Sequence, residues 1–139
     1  MSEVKIQSDI AREFSVRYPN KRGQLFHISN ERNHKVQAFQ AAAIGIVNGV
    51  SDFLFFEWVP GFGINLLALE VKSPGSRHEV DHIRQQINWG KTLEEQGGSY
   101  RLVRSCKEAI DCIEGNLCGL SIEEVEEMIH EIKTKTIKF

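Results

Sequence analysis

The spacing of apolar residues changes along this 139-residue chain, and each change marks an element. Ile6, Ile10 and Phe14 recur at helical intervals, which predicts a helix over 3–18 closed by Tyr18-Pro19. Asn20-Lys21-Arg22-Gly23 reads as a turn, and Leu25 to Ile28 as a short strand ended by Ser29-Asn30. Val36, Phe39 and Ala43 share one side of a helix expected over 33–43. Gly45 and Gly49 then lead into a turn at Asp52. Phe53 to Val59 is almost continuously apolar, as in a strand buried on both faces. Pro60-Gly61-Phe62-Gly63 turns the chain into a partner strand, Ile64 to Lys72. There Leu66, Ala68, Glu70 and Lys72 fall on one face, and Asn65, Leu67, Leu69 and Val71 on the other. A helix follows over about 79–96, whose Val80, Ile83, Ile87 and Trp89 make no single clean stripe. Tyr100 to Val103 is a further core strand, and Cys106 to Glu114 a short helix. Ser121-x-x-Glu124 is a capping box opening a last helix with Ile122, Val125, Met128, Ile129 and Ile132 at helical spacing.

The resulting order, αβαββαβα with one long hairpin, predicts an α/β fold in which helices flank a central mixed sheet. Residues 1–115 form the expected domain. Residues 116–139 carry the terminal amphipathic helix, whose stripe packs on that domain or on a second copy. The three cysteines, Cys106, Cys112 and Cys118, show no Cys-x-x-Cys spacing, so free thiols in a reducing cytoplasm are expected rather than a zinc site. No run is apolar enough to cross a membrane, and the polar start has no signal pattern. Net charge is −2, but it is unevenly spread. Of 19 acids, six lie within 114–131 beside no Lys or Arg, leaving 13 against 17 bases elsewhere. The body is mildly basic, which permits contact with DNA without requiring it.

Chemistry concentrates at the ends of the hairpin. Asp52 begins its first strand, and Glu70 and Lys72 end the second. Side chains two apart on a strand share a face, so Glu70 and Lys72 stand together with Asp52 in reach. Two carboxylates suit Mg²⁺ or Mn²⁺, which takes a few oxygens plus waters and substrate phosphate. Such a cation polarises a phosphoryl oxygen and generates hydroxide near neutral pH. The Val71 carbonyl offers a third oxygen, and Lys72 would orient the attacking water or stabilise charge on the phosphate.

The pattern Asp52, then Glu70-x-Lys72, resembles the PD-(D/E)xK nuclease superfamily, which has the restriction-endonuclease-like fold. Its surroundings resemble the virus-type replication-repair nuclease (VRR-NUC) family. The similar segments are Glu3-x-x-Ile6-Gln7, Phe26-His27-Ile28-Ser29-Asn30-Glu31, Gly49-Val50-Ser51-Asp52, Leu69-Glu70-Val71-Lys72 and Gln86-Ile87-Asn88-Trp89 with Leu93 and Gly97. A closing strand and helix from Tyr100 to Ile113 complete a likeness that covers residues 3–113 in order. It implies that Asp52 and Glu70 bind metal and that Lys72 is catalytic. Gln86 would support Lys72 or the water, and Glu3 would be the first-helix acid completing the metal site. Glu13 is the alternative for that acid, and the Glu3–Gln7 pairing favours Glu3. Ser51 stands where the family has proline, and serine also holds a turn.

Simpler readings stand beside these. An isolated Glu-x-Lys is ordinarily a surface ion pair, and Gln86 alone is ordinary helix surface. His78 and His82 are four apart but lack a flanking acidic motif, so they read as a solvated helix face. Trp89 reads as a core anchor, and Lys21, Arg22, Arg77, Arg84 and Lys91 as solvated cations with phosphate contact as the functional alternative. The expected function is a metal-dependent endodeoxyribonuclease; the resemblance implies branched DNA as its substrate, Holliday junctions first, and the expected working form is a homodimer in the cytoplasm of a bacterial or phage-infected cell. A flap-type structure-specific nuclease is the same-class alternative. A DNA-binding subunit with a vestigial site is the other, and the intact Asp52, Glu70 and Lys72 argue against it.

Overall fold

The computed structural model describes residues 1–28, 40, 43–44 and 47–139. The helix expected over 33–43 and the strand end at Ser29-Asn30 fall almost wholly outside them, as do Glu31, His34 and Gly45. The elements are α1 (Glu3–Arg17), β1 (Leu25–His27), β2 (Phe53–Val59), β3 (Gly63–Val71), β4 (Arg77–Glu79) and α2 (Val80–Glu95). They continue with β5 (Ser99–Val103), α3 (Cys106–Ile113), α4 (Ile122–Glu131) and β6 (Thr136–Lys138).

Four strands form a mixed sheet in the order β1-β2-β3-β5. The first three are antiparallel neighbours, and β5 runs parallel to β3. A parallel neighbour needs a crossover of a dozen or more residues, and α2 supplies it. Strand alternation then divides the core. Leu67, Leu69 and Val71 of β3 pack with Ile6, Ile10 and Phe14 of α1 and with Ala109, Ile110 and Ile113 of α3. Ala68 faces the other way, among Ile83 and Ile87 of α2, Tyr100 and Leu102 of β5, and Ile122, Val125 and Ile129 of α4. Helices therefore cover both faces. Glu70 and Lys72, in phase with Ala68, emerge on the α2/α4 side.

Three expectations change. The near-continuous apolar run of β2 is buried only at Phe53 and Phe55, while Phe56 and Trp58 are exposed. On α2, Ile83, Gln86, Ile87 and Gly90 are buried, which is a regular helical stripe containing a glutamine and a glycine in place of two hydrophobes. Gly90 is there for space, because a Cβ would lie 2.7 Å from the Tyr100 ring. Finally, the chain after α4 forms β6, which pairs with β4 in a two-stranded ribbon not expected from the periodicity. The apolar stripe of α4 is buried in its own chain's core, and Ile137 of β6 joins it. Met128 and Ile132 of the same stripe pack against that core and stay partly exposed. Ser121 and Glu124 form the reciprocal capping box, and the three cysteines are free thiols. Among the described residues no helix is long and apolar enough to cross a membrane.

Candidate active site

The site begins with the turn that enters β2. Gly49 has φ +85, and a Cβ on it would come within 3.0 Å of the Gln85 carbonyl oxygen, so glycine lets this turn lie against α2. Ser51 is fully buried, and its hydroxyl donates to the Phe53 carbonyl at 2.9 Å. This local bond holds the turn without proline. Asp52 follows, one step beyond the last ladder pair, Phe53 with Leu69. Its Oδ2 accepts from the Val71 N–H at 2.7 Å, a cross-strand brace that fixes the carboxylate next to Glu70. A strand residue directs its N–H and C=O to the same side, so the Val71 carbonyl also faces the Asp52 edge.

Glu70 and Lys72 are almost completely buried. Lys72 Nζ lies 3.3 Å from Glu70 Oε1, and Gln86 Nε2 donates to the same oxygen at 2.9 Å. The buried glutamine in the α2 stripe is thus aimed at the strand carboxylate. The second amide hydrogen of Gln86 points toward His82 Nε2 at 3.4 Å. Glu3, in the first turn of α1 behind the Ser2 cap, brings its carboxyl within the electrostatic reach of Lys72, Asp52 and His82. Glu13 lies ten residues further on, about 15 Å along the helix axis. It is bound to Arg17 at 2.6 Å, away from this cluster.

Asp52, Glu70 and Gln86 line a cleft of about 360 Å³ together with Asn48, Gly49, Val50, His82 and Gln85. Lys72 stands against Glu70 at its edge, and Glu3 lies within electrostatic reach of the same group. Larger hollows exist between α2 and α4 and between α1 and β1. None of their lining residues carries a buried side-chain polar atom without a hydrogen bond, whereas the site holds three such oxygens: Glu3 Oε1, Glu70 Oε2 and Gln86 Oε1. Beneath it, the Tyr100 hydroxyl is a fourth buried polar atom without a hydrogen bond.

The electrostatics follow from burial. Removal from water pushes the Glu70 carboxyl up to about 8, the Asp52 charge adds to the rise, and Lys72 opposes it. Glu3 is also raised, first by burial and then by Asp52, against the pull of Lys72 and the Ser73 backbone amide. Two crowded carboxyls held above their ordinary range, with bare oxygens, fit a divalent cation, which would satisfy those oxygens and favour their ionised forms. Among the described residues no three His, Cys, Asp or Glu side chains make a ready cation cage. A Mg²⁺-like ion that keeps several waters does not require one.

His78 and His82 are the residues that sequence reasoning set aside. Their spacing was visible, but His78 stands on β4 while His82 stands on α2, so they do not share a solvated helix face. His82 lines the cleft, and His78 Nε2 lies 3.2 Å from Glu3 Oε1. Two of the cations read as solvated, with phosphate contact as the alternative, are engaged in ion pairs: Lys21 with Glu57 at 2.7 Å and Lys91 with Glu126 at 3.0 Å. Trp89 packs edge-on to Tyr100. Compared with known proteins, the chain matches no family model, no curated protein and no solved structure.

Proposed function

We propose that this protein is a Mg²⁺- or Mn²⁺-dependent endodeoxyribonuclease of the VRR-NUC type on a restriction-endonuclease-like fold. Its substrate is branched DNA, with four-way Holliday junctions preferred. The observation that carries the reading is the convergence of Asp52, Glu70, Lys72 and Gln86 at one strand end, beside Glu3, with three buried oxygens that lack hydrogen bonds. An ordinary surface ion pair would not be buried, and a purely structural cluster would satisfy its oxygens. The connectivity α1-β1-β2-β3-α2-β5, with an antiparallel trio and one parallel strand, is compatible with the proposed fold.

In this reading Glu3, Asp52, Glu70 and the Val71 carbonyl hold the cation. When bound, it polarises the scissile phosphoryl oxygen and lowers the pKa of water. Gln86 spends its amide hydrogens on Glu70 and toward His82, so its bare Oε1 is free to accept a hydrogen from the attacking water and orient it. Lys72 places a fixed positive charge beside the phosphate position, where negative charge grows in the transition state. The body's excess of bases supports attraction to the phosphate backbone.

A second reading is favoured by one observation. Symmetric junction cleavage calls for two copies of the site related by a two-fold axis, yet of the two places expected for the α4 stripe, its own domain or a second copy, Ile122, Val125 and Ile129 are buried in the first. A flap-cutting nuclease acts with one site. The test is to incubate the protein with four-way junctions, flaps and linear duplex in Mg²⁺ or Mn²⁺, beside Asp52→Ala and Lys72→Ala. Paired symmetric nicks support junction resolution, and single nicks near a flap support the second reading. Equal cleavage by the variants removes the proposed site.

A further inference from the structure

The part of the molecule least explained by a nuclease core is the ribbon formed by β4 and β6. It is firmly built. His78 pairs with Ile137 in its register, and Ile137 is buried in the core under α2 and α4. Backbone bonds close the ladder on both sides: Phe139 N–H to the Ser76 carbonyl at 2.9 Å and Val80 N–H to the Lys135 carbonyl at 2.8 Å. The Phe139 ring lies 5.8 Å from the His78 ring, centroid to centroid. The last residues of the chain thus fix the backbone and one side of His78.

Local hydrogen bonding assigns the His78 tautomer. Ser76 Oγ has one hydrogen, which it donates to the Ser73 carbonyl at 2.6 Å. Toward His78 Nε2, 3.0 Å away, that hydroxyl can only accept, so Nε2 bears the proton. The same nitrogen is 3.2 Å from Glu3 Oε1, close enough for attraction though off the hydrogen-bonding axis. Glu3 sits in the first turn of a helix, where backbones fray and a long side chain has many rotamers.

We propose that His78 is a positioning residue for Glu3: the β4–β6 ribbon and Ser76 fix the ring, and its electropositive Nε2–H edge, 3.2 Å from Oε1, attracts the first-helix carboxylate and keeps that acid beside the site. The role of Glu3 in metal binding rests on the nuclease reading; the clamp itself does not. Outer partners of this kind orient a ligating carboxylate, and their loss typically weakens metal binding by about 10–100-fold.

The decisive measurement uses the full-length, metal-free protein with ¹⁵N-labelled histidine. NMR is expected to show His78 protonated at Nε2, with its resonance displaced in Glu3→Ala. A proton on Nδ1 instead, or a resonance indifferent to Glu3→Ala, overturns the clamp. Calorimetry with Mn²⁺ then reads its consequence. His78→Phe keeps the ring against Phe139 but removes the donor, and is expected to weaken Mn²⁺ binding about tenfold, while His78→Gln, which keeps an N–H, stays within about threefold. In a Glu3→Ala background His78→Phe should add almost nothing, whereas an undiminished loss there overturns the proposal. If the wild-type protein binds no Mn²⁺, the nuclease reading fails and the NMR arms alone decide the clamp. Thermal unfolding of each variant separates misfolding from displacement.

Discussion

The two ends of the β2–β3 hairpin invert the usual distribution of polar and apolar residues. At the site end, Glu70 is 2 % exposed and Lys72 3 %. At the turn end, Trp58 is 66 % exposed and Phe62 90 %. Side chains of Ile64, Leu66, Ala68, Glu70 and Lys72 follow one face of one strand, so the inversion occurs within about 30 Å of backbone. The cause is coverage. α2 and α4 lie over the β3–β5 half of the sheet and pass above Ala68, while Phe56, Trp58 and Ile64 extend past them. Burying two charges is expensive and is tolerated where pairing and hydrogen bonds offset it. The exposed hydrophobes at the other end are not scattered singly: Trp58 pairs with Ile64, and Phe56, two residues before Trp58, shares their face. Each costs little by itself, so the buried charges are the larger departure from the ordinary distribution.

The largest expected effects are at the buried end. Asp52→Ala and Lys72→Ala should each lower junction or flap cleavage by about 10³-fold or more, read as initial nicking rate in Mg²⁺. Gln86→Leu preserves the volume of the side chain but removes both the bond to Glu70 and the bare oxygen. A loss of about 10²-fold in nicking is expected, with KM for DNA little changed. Wild-type rates from this variant would exclude Gln86 from the chemistry.

A pH-dependent effect on stability follows from Glu70. Its carboxyl is held at about 8 in the folded chain against an ordinary 4.5, so the folded state binds the proton more tightly. The stabilisation is complete below about 4.5 and is lost as pH rises through about 8, a swing of at most ~5 kcal/mol. Metal-free calorimetry between pH 5 and 8.5 should show the melting temperature falling, and Glu70→Gln should flatten that fall. Added Mg²⁺ should restore stability at the alkaline end, because it favours the ionised carboxylate. A wild-type curve that rises over this window would contradict the burial of Glu70.

The smallest expected effects are at the exposed end. Trp58→Ser and Phe62→Ser should change unfolding free energy by no more than about 0.5 kcal/mol and leave nicking intact. Denaturant titration checks the first, and the same nicking assay the second. A large loss in either would show that the aromatic end makes contacts beyond this chain.

Much of this was legible in the linear chain, for identifiable reasons. Period-two alternation through Leu66, Ala68, Glu70 and Lys72 determines that the last two share a face, whatever packs above them. Helical spacing placed Ile6, Ile10 and Phe14 inward, and the structure buries all three. The stripe of α2 was not legible, because Gln86 and Gly90 are buried for partners on other elements, Glu70 and Tyr100. Nor was β6: three residues have no period, and its strand exists only because β4 is beside it. The exposed half of β2 was misread for a related reason, since an apolar run reports affinity for a core and not whether a helix reaches it.

By itself, then, the amino-acid sequence determined the local periods, the caps and the pairing of Glu70 with Lys72, all of which depend on neighbours within a few residues. Tertiary structure decided the rest. It set Glu3 and not Glu13 near Lys72, turned Gln86 inward, spent the α4 stripe within the chain and brought His78 to the first helix. Each of those outcomes joins residues distant along the chain. Their energies come from desolvation and packing, which have no value until the partner surface is in place.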